Sequence, residues 1–215
     1  MKSIRLKIIQ SAYALGAKEI EGLNTKTLVP KMMTRRRLTR AAKIAIYLSN
    51  EVSFTKGRIV YGSSFGELES TANILNSISN KEAISPTYFQ NSVYNTAISY
   101  LSILQENEEE LLTISSGDKT SDSVLKVGAV KALDGDTLLL LVTETLNIEG
   151  IEKLNVCEQY LECAVALKVR FTDEAPTIKF TKSVGDSKVP HSVRTMLTIA
   201  KQCEVGEVNV IEVQL

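Results

Sequence analysis

Residues 111–143, LLTISSGDKTSDSVLKVGAVKALDGDTLLLLVT, contain the pattern that decides the fold. The segment from Leu111 to Ile114 predicts a strand, and a Ser-Gly-Asp turn leads from it into a helix from about Thr120 to Leu133. Gly135-Asp136 then turns the chain into the strand Thr137 to Thr143, which is apolar on both faces. A run that is apolar on both faces predicts a central, parallel strand, and the alternation of strand and helix predicts a layered α/β domain.

The same alternation of strand and helix continues on both sides of this segment. Before it, the periodicity predicts a strand at Ile4 to Ile8, a helix capped by Thr34 and ending near Asn50, a strand at Gly57 to Gly62, and helices at Glu67 to Ser79 and Tyr88 to Leu104. After it, we predict strands at Cys163 to Phe171, Thr177 to Phe180 and Val208 to Val213, and a helix between Ser192 and Cys203. The sequence therefore predicts one α/β domain over residues 1–215, with a mixed, mainly parallel sheet and helices on both faces.

Composition narrows the classes of function. Lys plus Arg and Asp plus Glu each number 25, so no net charge attracts nucleic acid or an anionic membrane. The three cysteines, Cys157, Cys163 and Cys203, form no Cys-x-x-Cys pair, which argues against disulfides and a zinc site. No secretory or membrane-spanning segment is evident. We expect a cytoplasmic protein without a metal or cofactor.

Four segments carry a resemblance to a known family. They are Met32 to Arg40, Tyr61 to Glu69, Ser85 to Asn95 with its Ser-Pro…Phe…Ser-Val-x-Asn pattern, and Thr113 to Asp118 with the helix and Gly135-Asp136 that follow. Together they resemble the N-terminal region of the β-ketoacyl synthase family, most closely its divergent ketosynthase-like branch. The resemblance covers roughly residues 1–170 and implies a thiolase-like half-domain, with residues 171–215 as a less certain appendage.

The resemblance also implies what the chain lacks. In active ketosynthases the strand, turn and helix present a cysteine at the start of the helix, where the helix dipole favours a thiolate. That place falls here on Asp118, or on Gly117 with a one-residue shift, and neither is a thiol. The family's catalytic histidine pair comes from a C-terminal half, whereas the only histidine here is His191. The expectation is a non-catalytic ketosynthase-like protein of fatty acid or polyketide-type biosynthesis, comparable to the chain length factors.

Partners follow from the same resemblance. The basic residues Arg35, Arg36, Arg37 and Arg40 are either the solvated face of a helix or a docking patch for an acidic acyl carrier protein. The strand Leu111 to Ile114 is expected at the edge of the sheet, where it would pair with a second chain. We therefore expect a homodimer, or a heterodimer with a ketosynthase subunit.

Two alternatives remain open at this stage. Gly62-Ser63-Ser64-Phe65-Gly66 fits the Gly-x-Ser-x-Gly pattern of a hydrolase, between a predicted strand and a predicted helix. Ser64, then Asp173 or Asp186, then His191 would complete a triad in the usual chain order. The second alternative is a purely structural subunit that binds no acyl group.

Overall fold

The computed structural model describes residues 2–151, 159–177, 188–206 and 209–215. The strands are β1 (Ser3–Gly16), β2 (Arg58–Gly62), β3 (Leu111–Ile114), β4 (Leu138–Thr145), β5 (Glu162–Phe171) and β6 (Val210–Gln214). The helices are α1 (Thr25–Leu28), α2 (Met32–Arg35), α3 (Arg40–Glu51), α4 (Leu68–Ser79), α5 (Pro86–Asn91), α6 (Thr96–Gln105), α7 (Thr120–Ala132) and α8 (His191–Glu204).

The six described strands form one sheet in the order β3-β2-β4-β5-β1-β6. The strand β2 runs parallel to both β3 and β4, whereas β4 with β5, β5 with β1, and β1 with β6 pair antiparallel. The mixed sheet is confirmed, but the expectation of a mainly parallel one is met only in the β3-β2-β4 part. A strand that is apolar on both faces is covered on both faces, and this says nothing about the direction of its neighbours.

Helices cover both faces of the sheet, as predicted. On one face, α3 and α6 pack over apolar side chains of β2, β4 and β5. On the other face, α7 and α8 pack over a second apolar cluster from the same sheet. A Cβ added at Gly128 would lie 2.4 Å from Leu140 Cδ2, so this glycine allows α7 to approach β4 closely. The layered α/β architecture is confirmed.

Two predicted helices differ from the observed ones. Thr39, and not Thr34, caps α3, because the Thr39 hydroxyl accepts the N–H of Ala42 at 3.1 Å. The predicted helix from Tyr88 to Leu104 is divided into α5 and α6. Ser92 Oγ donates to the carbonyl of Phe89 at 2.9 Å, and such a local bond competes with continuation of the helix.

The C-terminal elements belong to the same sheet and its helical layer. The strand β6 pairs with β1, and α8 packs on β5, β1 and α7. Residues 178–180 of the strand predicted at Thr177 to Phe180, and Val208 of the last predicted strand, lie outside the described residues. Across the described ranges, no helix is long and apolar enough to cross a membrane.

Candidate functional site

Two turns and the end of one strand meet where β2, β3 and β4 finish. The turn after β2 spans Ser63 to Gly66, the turn after β3 spans Ser115 to Lys119, and Glu144 lies next to the last residue of β4. Ser115 Oγ donates to the carbonyl of Ser64 at 3.4 Å, so the two turns touch. Because β5 is antiparallel, its first residue, Glu162, lies at this same end, opposite Thr145. We call this region the polar end of the sheet. Ligands of α/β proteins commonly bind at the carboxyl ends of parallel strands.

The turn after β3 is the place where the resemblance puts a nucleophile. Gly117 to Lys119 form a 3₁₀ turn, and α7 begins only at Thr120. Thr120 Oγ1 donates to the carbonyl of Gly117 at 2.7 Å and accepts the N–H of Ser116 at 3.1 Å. The turn is exposed, and a Cβ at Gly117 would meet no atom within 4 Å. Strand, turn and helix are thus in the predicted order, but the turn presents hydroxyl groups and the Asp118 carboxylate to solvent instead of a thiol.

The turn after β2 is filled by a carboxylate of the chain itself. Glu144, which is fully buried, accepts the N–H of Ser64 at 2.6 Å, the N–H of Phe65 at 3.3 Å and the hydroxyl of Ser63 at 3.0 Å. Burial raises the pKa of Glu144, although these hydrogen bonds and the nearby Ser192 hydroxyl act to lower it. Successive backbone N–H groups of this kind form a natural anion site. Here Glu144 occupies that site from inside the protein.

The described members of the proposed hydrolase triad, Ser64, Asp173 and His191, make no hydrogen bonds to one another. Asp173 follows β5 at the opposite end of the sheet, where its carbonyl accepts from Arg5. His191 begins α8, and its Nδ1 lies 3.1 Å from Nη1 of Arg194. A guanidinium only donates, so Nδ1 must accept, and no hydrogen bond joins the described His191 and Ser64. Asp186, the other proposed acid, lies outside the described residues.

The four arginines of the predicted docking patch have different surroundings. Arg40 reaches inward, with Nε and Nη2 each donating at 2.7 Å to the Glu162 carboxylate. Glu162 has a side chain that is only 2% exposed, and it also accepts the N–H of Ile20 at 2.6 Å. Arg40 therefore ties α3 to β5 and to the segment after β1. This ion pair gives Arg40 a structural role, and its assignment to carrier-protein docking stays a prediction.

The other three arginines precede α3. Arg35 is half-buried and donates to the carbonyls of Val29 and Pro30 at 2.8 and 2.9 Å. Arg36 and Arg37 are exposed. They follow two exposed apolar side chains, Met32 and Met33. These side chains belong to the one-turn helix α2 or follow it directly, and they form a surface that is both cationic and apolar.

A third buried carboxylate links α3 to α4. Thr39 Oγ1 donates to Glu67 at 2.8 Å while accepting from Ala42, so the cap of α3 is bonded to the residue that precedes α4. Burial raises the pKa of Glu67 to about 7, because the charged form is poorly solvated there. Nearby, the buried Tyr61 hydroxyl lies 2.6 Å from Thr143 Oγ1, and burial raises the Tyr61 pKa.

Sequence reasoning missed the three buried carboxylates Glu67, Glu144 and Glu162. The available signal was a charged residue at the end of an apolar strand, as Glu144 follows the aliphatic run of β4 and Glu162 begins β5. Each of the three accepts hydrogen bonds from other residues of the chain. These carboxylates therefore connect neighbouring elements of the chain to one another. In the described ranges, no group of three His, Cys, Asp or Glu side chains is placed to hold a metal.

Comparison with known proteins places the chain in context. The model of the family described as "Beta-ketoacyl synthase, N-terminal domain" matches residues 13–213. A chain of the complex of a ketosynthase with its chain length factor from Xenorhabdus doucetiae is 21% identical, with a TM-score of 0.71 and 92% of each chain covered. No curated protein is significantly similar in sequence.

Two further solved structures share the fold at lower identity. The ishigamide ketosynthase/chain length factor is 11% identical, with a TM-score of 0.62 over 79% of this chain and 63% of that chain. A beta-ketoacyl synthase from Burkholderia phymatum is also 11% identical, with a TM-score of 0.60 over 79% of this chain and 60% of that one. At these identities the likeness concerns the fold.

Proposed function

The chain belongs to the beta-ketoacyl synthase N-terminal domain family, and from that premise we propose that it is a ketosynthase-like subunit without condensing activity of its own. In this proposal it works beside a ketosynthase partner in polyketide-type biosynthesis, in the manner of a chain length factor. A chain of similar length occurs in the Xenorhabdus doucetiae structure, which is a complex of those two kinds of subunit.

One observation carries the proposal: the turn in the nucleophile position keeps its place between β3 and α7 but has no thiol. Of the cysteines in the described ranges, Cys163 is buried in β5 and Cys203 lies near the end of α8. Cys157 lies outside the described residues. A protein that keeps the framework without the nucleophile is suited to supporting a partner that supplies the chemistry.

The experiment that tests this function is complex formation with defined partners. Each full-length ketosynthase encoded in the same genome would be purified and mixed with this chain, and the mass of the complex measured by light scattering after gel filtration. We expect a one-to-one complex with one of them. If every ketosynthase elutes separately from the chain at micromolar concentrations, the proposed function is wrong.

The edge strand β3 supports the idea of a partner. Among the described strands it has one neighbour, β2, because it is the first strand of the sheet. The carbonyl of Glu110 accepts from Ile59 of β2, and that of Ile114 accepts from Ser63, directly after β2. The alternate residues Leu111 and Thr113 therefore direct their N–H and C=O groups away from β2. An edge that is left unpaired invites another strand. We propose that the partner's edge strand pairs here.

A proline in β3 tests the proposed pairing with the partner's strand without disturbing the pairing of β3 with β2. Thr113→Pro removes an N–H that points outward, whereas Leu112→Pro would remove one that faces β2. We expect Thr113→Pro to weaken the complex at least tenfold, and Thr113→Val, which keeps the N–H, to leave it within twofold. If the Pro and Val variants bind the ketosynthase with equal affinity, the partner does not pair with β3.

A second contact is proposed with an acyl carrier protein, which is acidic. Arg36 and Arg37 are the exposed cations, and Met32 and Met33 beside them can cover the apolar side of a docking helix. Fluorescence titration with purified carrier protein should show weaker, less salt-dependent binding for Arg36→Ser/Arg37→Ser. The matched control is Lys56→Ser/Lys126→Ser, which removes two exposed cations elsewhere. If the two double variants bind the carrier protein equally well, the docking site is not at Arg36 and Arg37.

A further inference from the structure

The largest group of exposed apolar side chains lies in one short segment. We call residues 68–94, which contain α4, α5 and the chain on either side of α5, the α4–α5 arm. Of the fifteen large apolar residues that are exposed in the described ranges, seven lie in this arm: Leu75, Ile78, Ile84, Tyr88, Phe89, Val93 and Tyr94. Phe89 is 72% exposed. Monomeric proteins rarely gather exposed apolar groups so densely without a binding role.

The arm packs mainly on itself, and it meets the body near its C-terminal end, where Asn91 accepts from the Tyr100 hydroxyl at 3.2 Å. The helices α4 and α5 contact each other, and neither packs extensively on another described helix or strand. In α4 only Ser70 is buried, although Leu75 and Ile78 lie three positions apart and share a face. An amphipathic helix normally buries its apolar face. Here that face is uncovered.

The root of the arm is held firmly. The Tyr94 hydroxyl donates to the carbonyl of Ser64 at 3.3 Å, and a Cβ at Gly66 would lie 3.1 Å from the Tyr94 ring. The arm thus leaves and rejoins the body at one turn, and Glu144 fixes that turn through the N–H of Ser64. A surface that is already ordered costs less to dock.

The arm is continuous with the edge strand. Tyr94, the last residue of the arm, lines a cavity of about 420 Å³ together with Asn95, Ile98, Ser99, Leu111 and Thr113. The last two residues belong to β3. The C-terminal end of the arm therefore adjoins the exposed edge of β3.

The size of a stable interface requires more than the edge strand. A stable complex buries roughly 800 Å² on each partner, from about 20–30 residues. The strand β3 has four residues, so pairing through it alone falls well short of that area. The adjoining arm supplies the missing apolar area.

We propose that the α4–α5 arm is the main docking surface for the partner ketosynthase, with Leu75, Ile78 and Phe89 buried against it while β3 pairs with its edge strand. This inference rests on the proposed function. It assigns most of the binding free energy to apolar contacts of the arm and a smaller part to the backbone bonds of β3.

The test compares two surface variants of the intact chain. Ile78→Ser/Phe89→Ser removes apolar groups from the arm, and the control Leu133→Ser removes an exposed apolar group at the end of α7, on the other face of the sheet. Dissociation constants for the ketosynthase identified above would be measured by calorimetry. We expect a loss of at least thirtyfold for the arm variant and less than twofold for the control.

The outcomes separate the two proposals. If the wild-type chain binds a ketosynthase and the arm variant binds equally well, the arm is not the docking surface, and the proposed function stands. If no ketosynthase binds the wild-type chain, the proposed function fails and the arm's assigned partner fails with it. If the arm variant disrupts only self-association of this chain, the occupant is a second copy and the inference is wrong.

Discussion

The polar end of the sheet buries charged side chains, whereas the α4–α5 arm exposes apolar ones. Both differ from the usual distribution of side chains, in opposite directions. At the polar end, Glu144 and Glu162 are buried, and each is bonded to donors of the chain. In the arm, apolar side chains such as Phe89 face solvent with little packing beneath them. The first arrangement is complete within the chain, whereas the second becomes complete only with a partner. Changes at the polar end should therefore lower stability, and changes in the arm should lower binding.

The largest loss of stability is expected from Arg40→Met. This change leaves the Glu162 carboxylate buried without its cation, which costs about 3–5 kcal/mol. Urea unfolding of the variant would measure the loss, with the exposed Arg36→Met as control and an expected change below about 0.5 kcal/mol. Equal stability of the two variants would mean that Arg40 is a surface residue.

Glu144→Ala should be the next most destabilising change. It removes the acceptor of the Ser64 and Phe65 N–H groups and of the Ser63 hydroxyl, and stranded donors cost about 1–3 kcal/mol. The exposed Glu149→Ala is the control, with almost no effect expected. Added formate should partly restore the melting temperature of Glu144→Ala alone, because a small carboxylate can occupy the vacated anion site. No recovery would show that the turn does not act as an anion site.

Glu67 should make stability depend on pH. Burial raises the Glu67 pKa from its ordinary 4.5 to about 7 in the folded chain, so the folded state holds more protons between these limits. Stability from this group is therefore fully present below pH 4.5 and is lost as the pH rises through about 7, by about 3 kcal/mol in all. Glu67→Gln should flatten this part of the profile in urea titrations at pH 5 and pH 8. An unchanged slope would show that Glu67 ionises normally.

The arm should give the smallest effect on stability. Phe89→Ser removes an aromatic ring that is mostly in water already, so the free energy of unfolding should change by less than about 0.5 kcal/mol. Phe54→Ser, in the buried core, is the contrasting variant and should cost several kcal/mol, about 3 or more. A large loss for Phe89→Ser would mean that the arm folds onto the body of the protein.

The sequence predicted the elements well where a period was repeated over many residues. The helix at Thr120, the strand ending in Thr143 and the layered architecture follow from local patterns and are confirmed. The direction of the strands was not predicted correctly throughout. The antiparallel pairing of β4 with β5 depends on the course of the chain between these two strands and not on the apolar pattern of β4. The family resemblance also came from local motifs and is confirmed by the match over residues 13–213.

The partners of charged residues could not be predicted, because they are distant in sequence. Glu144 bonds to Ser64, 80 residues earlier, and Arg40 bonds to Glu162, 122 residues later. A helical pattern placed Arg40 with Arg36 and Arg37 on one solvated face. The actual start of α3 at Arg40 turns this side chain inward instead. The sequence also could not predict that the arm is exposed, since an amphipathic pattern does not show whether the apolar face of a helix is covered.

The most direct test of the account is a condensation assay with and without the partner. The isolated chain would be incubated with acyl and malonyl carrier proteins, then the same mixture would be repeated with the ketosynthase that binds it, and β-ketoacyl product would be measured by mass spectrometry. We expect no product from the chain alone, and product from the pair that depends on the partner's cysteine. Robust turnover by the isolated chain would contradict it.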